Sequence, residues 1–322
     1  MDDLKNGFAF DNEMKFAPID SETFEKFRLK PDDILFNRVN SEEFVGRTGI
    51  FKLTGNYVFA SYLVRLRTNS GMSPDALNLF LNCKYGVLSI RRLSRRAVNQ
   101  ANVNAQELQS IPMPRFSSAF QEILASASNK SWTLYAESER LYKKAEQLLL
   151  SELGLRDWNP THTLTFVRSY SQAAKAGRMD AEYFHPKFQE MLDRISSQVK
   201  FDRLGRLTTY TKGFEVGSEA YTDTGIPFWR VSNLSKQGLD ESNANFISQE
   251  VYESLRQNYE PQKGEILLSK DATPGLAYYL EHPIQGIVSS GILRLTITNT
   301  IPPHYLELVL NSLFVQLQIE QN

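Results

Sequence analysis

The sequence predicts an α+β protein in which two similar domains are joined by a long helix of the coiled-coil type. Three observations support this prediction. Two stretches agree in order, spacing and residue class over about sixty positions, at an offset of 228 to 229 residues. Short apolar runs alternate with helical patterns inside each stretch. Between them lies a segment with a heptad pattern and no glycine or proline.

The composition sets the first limits. The chain has 322 residues, which fits two globular units and a connector. The 36 basic and 37 acidic residues give a net charge of -1, so any contact with nucleic acid would need a locally basic face. The single cysteine, Cys83, excludes an intrachain disulfide and favours a cytoplasmic location. No signal peptide or bilayer-spanning stretch is expected.

The repeat consists of four pairs of segments that follow in the same order. The pairs are 19–27 with 247–255, Pro31–Phe36 with Pro261–Leu268, Tyr57–Leu66 with Gly286–Leu295, and Ser73–Asn82 with Pro302–Asn311. We interpret these pairs as two copies of one domain.

Each copy is expected to contain the same strands and helix. The predicted strands are Asp33–Phe36, Gly49–Leu53 and Tyr62–Leu66 in the first copy, and Glu265–Leu268, Ala277–Leu280 and Ile292–Thr298 in the second. Proline at a favoured early position predicts helices over Pro74–Cys83 and Pro303–Leu317.

The segment from Phe120 to Glu152 predicts one long helix that ends at Gly154. Its apolar and small residues are spaced alternately by four and three positions, which is typical of a seam against a second long helix. At about 1.5 Å per residue the helix would span about 50 Å. The large residues expected to contact the partner helix are Phe120, Leu124, Leu134, Leu141 and Leu148.

The predicted organisation is a first domain at 1–116, a spacer helix at 117–155, a linker at 156–179 and a second domain at 180–322. The second copy has Asp180–Asn233 before its shared region, whereas the first has only Met1–Ala17. We therefore expect the first domain to lack its N-terminal part. No long helix follows the second copy, so either the chain is truncated or a second chain of the same type supplies the missing helix.

Several stretches resemble the specificity subunits of type I restriction-modification systems. Gly225-Ile-Pro followed by Arg230-Val-Ser-Asn-Leu is similar to an early strand motif of that family. Lys263–Asp271 resembles its central strand and loop. Asn99–Asn104 and Ile111-Pro-Met-Pro, which lead into the long helix, resemble its exit from the recognition domain. The resemblance covers most of the chain, and it depends on the order of the motifs.

The resemblance implies a non-catalytic subunit with two target-recognition domains, each of which reads half of a split DNA site. The long helices would form an antiparallel coiled coil that sets the spacing of the halves. Methyltransferase subunits would dock on this scaffold, and S-adenosylmethionine is expected on those subunits. Translocase-nuclease (restriction) subunits are further expected partners. Two similar domains on a stiff helix suit two half-sites.

Loops after the central strands hold most of the candidate DNA contacts, because arginine can bridge guanine and asparagine can bridge adenine. The alternative is a solvated loop. Lys212 lies between loop residues and suits a phosphate contact, while Arg230 either reads bases or pairs inside its domain. The candidates are Arg38, Asn40, Ser41, Arg47, Lys212, Arg230, Lys270 and Thr273.

Further basic residues have two interpretations each. Arg65 and Arg294 match between the copies and lie in strands, which favours structural ion pairs over base reading. A basic cluster follows the first copy's helix, where it either follows the phosphate backbone or forms a solvated surface. Its members are Arg91, Arg92, Arg95 and Arg96.

No catalytic constellation is predicted. Ser269, Lys270 and Asp271 are adjacent, so alternate strand residues face opposite sides and cannot form a triad. The four histidines lack metal-ligand spacing. Two other functions stay open, a protein scaffold that binds no DNA and a hydrolase with a duplicated domain. The histidines are His162, His185, His282 and His304.

Overall fold

A computed structural model describes residues 3–11, 15–41, 44–69, 71–97, 100–160, 163–241, 244–298 and 300–321, without the side chains of residues 96 and 97. The chain divides into two compact units, Met1–Arg140 and Leu141–Asn322, and each is built from helices and strands. The predicted α+β class is confirmed. Within the described ranges, no helix is both long and apolar enough to pass through a membrane.

Within its described residues, the first unit contains two sheets and three short α-helices, together with the start of the long helix. Its strands are β1 (Leu4–Lys5), β2 (Phe8–Ala9), β3 (Ile34–Asn37), β4 (Val39–Asn40), β5 (Thr48–Phe51), β6 (Leu63–Leu66), β7 (Arg95–Ala97) and β8 (Gln100–Asn102). Its helices are α1 (Ser21–Phe27), α2 (Pro74–Asn82), α3 (Lys84–Leu93) and α4 (Ser118–Glu152). The sheet orders are β1-β2-β5-β3-β6 and β4-β8-β7.

The second unit contains six further helices and ten strands among the residues that the structure describes. The helices are α5 (Tyr170–Ala176), α6 (Pro186–Ser196), α7 (Leu204–Leu207), α8 (Gln249–Tyr259), α9 (Pro303–Leu310) and α10 (Leu313–Gln321). The strands are β9 (Thr208–Lys212), β10 (Tyr221–Thr222), β11 (Ile226–Trp229), β12 (Leu234–Ser235), β13 (Gly238–Leu239), β14 (Asn245–Ile247), β15 (Glu265–Ser269), β16 (Ala277–Tyr279), β17 (Ile287–Val288) and β18 (Ile292–Ile297). The sheet orders are β16-β15-β18-β9, β10-β14-β11-β17 and β12-β13.

Each unit contains the same kind of antiparallel three-stranded core. It is β5-β3-β6 in the first unit and β16-β15-β18 in the second. The register agrees as well, because Ile34 pairs with Leu66 and Ile266 pairs with Leu295. Helices follow in the same order, with α1, α2 and α3 matching α8, α9 and α10. The two domains are therefore similar, as the repeat predicted.

In each domain an asparagine at the equivalent position joins the end of a helix to the sheet by a side-chain hydrogen bond. Asn82 Nδ2 donates to the carbonyl of Thr48 over 3.1 Å, and Asn311 Nδ2 donates to that of Ala277 over 2.8 Å. The helix predicted over Pro303–Leu317 was wrong in its length, because α9 ends at Leu310 and α10 begins at Leu313. The Asn311 side chain also bonds to the Glu307 carbonyl and closes the last turn of α9.

The two matched strand arginines make different contacts. Arg294 forms the expected ion pair, with Nε 2.8 Å from Glu265 Oε2, and both side chains are 9% exposed. Arg65 instead donates to two backbone carbonyls, those of Arg28 and Lys26. The predicted ion pair of Arg65 was therefore wrong, whereas that of Arg294 is confirmed.

The long helix α4 has the predicted extent and contributes apolar contacts to each unit. In the first unit, the Trp132 ring centre lies 5.3 Å from that of Phe8. In the second unit, Leu149 and Leu153 join a buried apolar cluster. Gly154 follows the helix at φ 69°, in the left-handed region expected of a helix stop.

The segment predicted as a loose linker contains the short helix α5. A capping box explains this helix, because the Ser169 side chain accepts from the Gln172 N–H and the Gln172 side chain accepts from the Ser169 N–H. Gly177 ends the helix in the left-handed conformation. The predicted domain limits themselves stay a prediction.

His304 lies between two carboxylates in the second unit. Its Nε2 is 2.9 Å from Glu281 Oε1, and its Nδ1 is 3.3 Å from Glu307 Oε2. Burial lowers the pKa of His304, but hydrogen bonds and charge interactions with Glu307 and Glu281 outweigh it, so the pKa is raised above 6.5. The charged imidazole therefore stabilises the fold below that value, and this stabilisation is lost as the pH rises through the raised pKa.

The wild-type free energy of unfolding should fall between about pH 5.5 and about pH 8.5, because His304 loses its charge. We expect this fall to be smaller in His304→Gln. Because the side chain is 62% exposed, the difference from wild type should stay below about 1 kcal/mol. Urea unfolding at the two pH values measures it, and His282→Gln is the control that should keep the wild-type difference. Equal pH dependence in wild type and His304→Gln would contradict the prediction.

Candidate nucleic-acid interface

In each domain the middle strand of the shared core, β3 or β15, is followed by a loop that begins with a basic residue. We call this loop, residues 38–45 or 270–274, the central loop of its domain. The Arg38 N–H donates to the Tyr62 carbonyl over 3.1 Å, and the Lys270 N–H donates to the Gly291 carbonyl over 2.9 Å. Tyr62 and Gly291 each directly precede the neighbouring strand, β6 or β18. The structure therefore places Arg38 and Lys270 at equivalent positions.

Both loops are closed at their base by the same backbone bond. The N–H of Gly46 donates to the carbonyl of Asn37, the last residue of β3, over 2.7 Å. The N–H of Gly275 donates to the carbonyl of Ser269, the last residue of β15, over 2.8 Å. Their φ angles, 87° and 94°, lie in the region that favours glycine. A Cβ would come within 2.4 Å of Ile90 at Gly46 and 2.7 Å of Ile319 at Gly275. Glycine is therefore needed at both positions.

The four candidates of the first domain lie in its central loop or at the base of that loop. Arg38 Nε makes a long contact of 3.4 Å to a backbone carbonyl before β6. Asn40 Oδ1 accepts from the Ser41 N–H over 2.8 Å. The guanidinium carbon of Arg47 lies 4.1 Å from the ring centre of Phe44, which is a cation–π contact.

The small sheet β4-β8-β7 brings the basic cluster to this loop. β4 belongs to the loop, pairs with β8, and β8 pairs with β7. The register places Arg95 in the same cross-strand row as Val39, two strands or about 10 Å away. Arg95 is 75% exposed and pairs with Glu107. Of the other members, Arg91 and Arg92 are exposed at the end of α3, and the Arg96 side chain lies outside the described residues.

The central loop of the second domain has a defined shape. Lys270 Nζ lies 2.8 and 2.6 Å from the two carboxylate oxygens of Asp271. Ala272 has φ 58°, which is uncommon without glycine. The Ser269 hydroxyl donates to the Thr273 carbonyl over 2.6 Å. A DNA contact by Lys270 would therefore compete with its ion pair to Asp271.

Lys212 is the last residue of strand β9, opposite Leu293 of β18. The glycine after Lys212 had predicted a loop at this position. The pairing extends to Gly213, whose N–H donates to the Ile292 carbonyl over 3.1 Å. This bond explains the longer strand, and the Lys212 side chain is exposed at its end.

Arg230 directly follows β11, which belongs to the other four-stranded sheet of the second unit. Its N–H donates to Asn233 Oδ1 over 3.0 Å and begins a short turn. Gly291 lies between this turn and the central loop, because a Cβ there would be 2.9 Å from Val231 and 3.5 Å from Asp271. The structure thus brings four candidates around the start of β18, namely Lys212, Arg230, Lys270 and Thr273.

The groups considered for catalysis are engaged in the fold. Ser269 is 2% exposed and bonded to a backbone carbonyl, and Lys270 is paired with Asp271. In the part of the chain that the structure describes, no three histidine, cysteine, aspartate or glutamate side chains form a metal-binding group. His162 lies outside the described residues.

The predicted partner seam of α4 lies on its exposed side. Phe120, Leu134, Leu141 and Leu148 are 44%, 61%, 50% and 64% exposed, and Leu124 is half-buried. The face that carries Trp132 makes the helix's contacts within the first unit. The seam residues are therefore accessible to a second helix.

No protein-family model matches the chain. In sequence, the chain is 29% identical over 137 residues to a protein of Methanocaldococcus jannaschii whose name describes it as a type I restriction enzyme MjaX specificity subunit. The match covers 41% of this chain and 32% of that protein. The chain thus matches about a third of the length of this curated relative.

Solved structures give matches at low identity. The HsdS subunit from Thermoanaerobacter tengcongensis is 12% identical, with 92% of this chain and 66% of that chain covered and a TM-score of 0.32. The S subunit of a type I restriction-modification system from M. genitalium is 17% identical, with 92% and 67% covered and a TM-score of 0.29. Such TM-scores support no functional argument. Over 137 residues the chain is similar in sequence to a specificity subunit of a type I restriction enzyme, so the resemblance predicted from its motifs is confirmed.

Proposed function

We propose that the chain recognises DNA as a non-catalytic specificity subunit and directs methyltransferase subunits to a bipartite site. The observation that supports this most directly is the duplicated loop geometry. Each domain presents a basic residue, Arg38 or Lys270, at the same position after its central strand. Two equivalent loops on two similar domains suit a target with two half-sites.

The candidate side chains fall into two chemical groups. Arg38 and Asn40 can form paired hydrogen bonds to guanine and adenine edges, and Asp271 can accept from cytosine. Lys212 and Arg95 are exposed at the ends of strands and suit phosphate oxygens. Phosphate contacts fix the position of a domain on the duplex, while base contacts select the sequence.

The proposed partners follow from the same function. Methyltransferase subunits would carry S-adenosylmethionine, and restriction or translocase subunits would join the assembly. A second chain of the specificity-subunit type would supply the helix that packs on the α4 seam. A DNA target of this kind implies a cytoplasmic location.

We expect Arg38→Ala and Lys270→Ala each to weaken DNA binding by the methyltransferase assembly by about 10- to 100-fold, because each removes a contact in one half-site. Each should relax the sequence preference of its own half-site alone. Selection from random duplexes identifies the target, and fluorescence anisotropy at several salt concentrations then measures affinity.

Lys30→Ala and Lys263→Ala are matched controls, because both side chains are exposed near the other ends of the same two strands. They should keep wild-type affinity. If the loop variants bind as tightly as these controls, the loops do not read DNA. If the assembly forms but no duplex is selected, the protein acts as a scaffold without DNA binding.

A further inference from the structure

The two domains differ in how one face of the shared sheet is covered. In the second domain, Leu267, Leu280 and Ile292 lie on this face and are at most 1% exposed. They pack in one cluster with Trp229 and Leu234. The cover of this face therefore comes from the strand β11 and the hairpin β12-β13.

The equivalent face of the first domain is covered only in part. By register, its residues are Leu35, Phe51 and Leu63. Leu35 and Phe51 are 5% and 3% exposed and pack with Leu4 and Leu29, and all three residues line a cavity of about 900 Å³. Val58 also lines this cavity and is 39% exposed, whereas the equivalent Ile287 of the second domain is fully buried. A cavity of this size, with apolar and polar residues in its lining, is typical of a binding site.

The same difference appears at the edge of the sheet. In the second domain, β9 pairs along the outer side of β18. In the first domain, β6 is the last strand of its sheet, and no strand pairs with its outer side in the described ranges. One continuous segment, Thr208–Leu239, thus covers both the edge and the apolar face of the second domain. In the first domain the outer edge of β6 is unpaired within the described ranges, and a cavity lies beside the partly covered face.

The charges around the cavity match a segment of this kind. Two carboxylates, Asp3 and Asp11, line the cavity together with one lysine, Lys15. The covering part of the second domain, Ile226–Leu239, has two basic residues, Arg230 and Lys236, and no acidic residue. Thr208–Leu239 as a whole holds three basic and three acidic residues, so the attraction to the cavity of the first domain comes from the stretch Ile226–Leu239.

We propose that the outer edge of β6 and the adjacent cavity form a docking site for a polypeptide segment supplied by another chain. The segment has the chemistry of Thr208–Leu239, with an edge strand followed by an aromatic, basic strand and hairpin. Backbone hydrogen bonds to β6 give affinity, and the aromatic residue fills the apolar cavity. The inference is independent of DNA binding, because it depends on the comparison of the two domains.

The first test adds a fluorescein-labelled peptide of sequence Thr208–Leu239 to the whole chain. We expect saturable binding of one peptide per chain in the micromolar range, and a loss of at least about tenfold with a Trp229→Ala peptide. Val58→Glu in the chain should cause a similar loss, with an unchanged unfolding midpoint. Val167→Glu is the matched control, since Val167 is 92% exposed and lies outside the cavity.

A fusion keeps the test decisive if the free peptide binds weakly. The same segment is joined ahead of Met1 by a flexible linker of about 20 residues, which raises its effective concentration to the millimolar range. We expect this fusion to displace an apolar dye from the cavity and to protect the 57–63 segment from protease. The Trp229→Ala fusion should do neither.

Three results would overturn the proposal. The first is a peptide that binds no better than a scrambled one, together with a fusion that leaves the dye in place. The second is equal binding by wild type and Val58→Glu, which would place the peptide elsewhere. The third is a concentration-dependent dimer that Val58→Glu abolishes, which would make a second copy of the chain the occupant.

Discussion

Replacing Arg294 with leucine is expected to lower the free energy of unfolding of the second domain by about 3–5 kcal/mol. The substitution would leave the buried Glu265 carboxylate without its cation, since both partners are 9% exposed. It would also remove the donor to the Asn258 carbonyl. Urea unfolding followed by tryptophan fluorescence measures the loss.

Arg65→Leu is the matched control, because Arg65 occupies the equivalent strand position in the first domain. Its side chain donates only to backbone carbonyls and is half-buried, so the expected loss is about 1–2 kcal/mol. Adding Glu265→Gln to Arg294→Leu should recover part of the stability, because it removes the uncompensated charge. Equal losses in Arg294→Leu and Arg65→Leu would refute the explanation.

The second large effect concerns the exposed seam of α4. The double variant Leu134→Glu, Leu141→Glu should reduce assembly with the proposed partner helix by at least about 100-fold, because two leucines lose apolar burial and two charges meet an apolar surface. Leucine and glutamate have similar helix propensities, so α4 itself should persist. Sedimentation velocity of the chain with the methyltransferase subunits and the second specificity-type chain measures the assembled fraction.

A second double variant, Leu164→Glu with Val167→Glu, controls for added charge. These side chains are 84% and 92% exposed and lie outside the seam. Assembly by this variant should match wild type. If the seam variant also assembles like wild type, then the seam faces solvent in the complex and the partner binds another surface.

The sequence alone predicted the features that repeat. The pairing of Tyr57–Leu66 with Gly286–Leu295 could be read from residue class, and strands β6 and β18 confirm it. The Asn82 and Asn311 match has a physical reason that only the structure supplies, which is a hydrogen bond from each to a strand carbonyl. The heptad spacing predicted α4 because it extends over many turns.

Other features depend on contacts between distant parts of the chain. The pairing of β4 with β8 brings Arg95 to the Arg38 loop, and two- or three-residue strands give no periodic signal. The break between α9 and α10 follows from the Asn311 side chain, which satisfies helix and sheet at once. The pairing of Lys270 with Asp271 and the left-handed conformation of Ala272 lie within the predicted loop, but residue types alone did not predict either of them.

The glycine-closed bases of the two central loops have a consequence for how new specificities could evolve. Eight residues, 38–45, span the base in one domain, and five residues, 270–274, span it in the other. Each base is closed by a backbone hydrogen bond, so exchange of exposed loop side chains is expected to leave the register of the central strands unchanged. In the first domain, Val39 and Asn40 of the loop also pair with β8, and Val45 is buried, so those positions are constrained. A few mutations confined to one loop could thus alter what one half of the molecule recognises, while the other half keeps its preference.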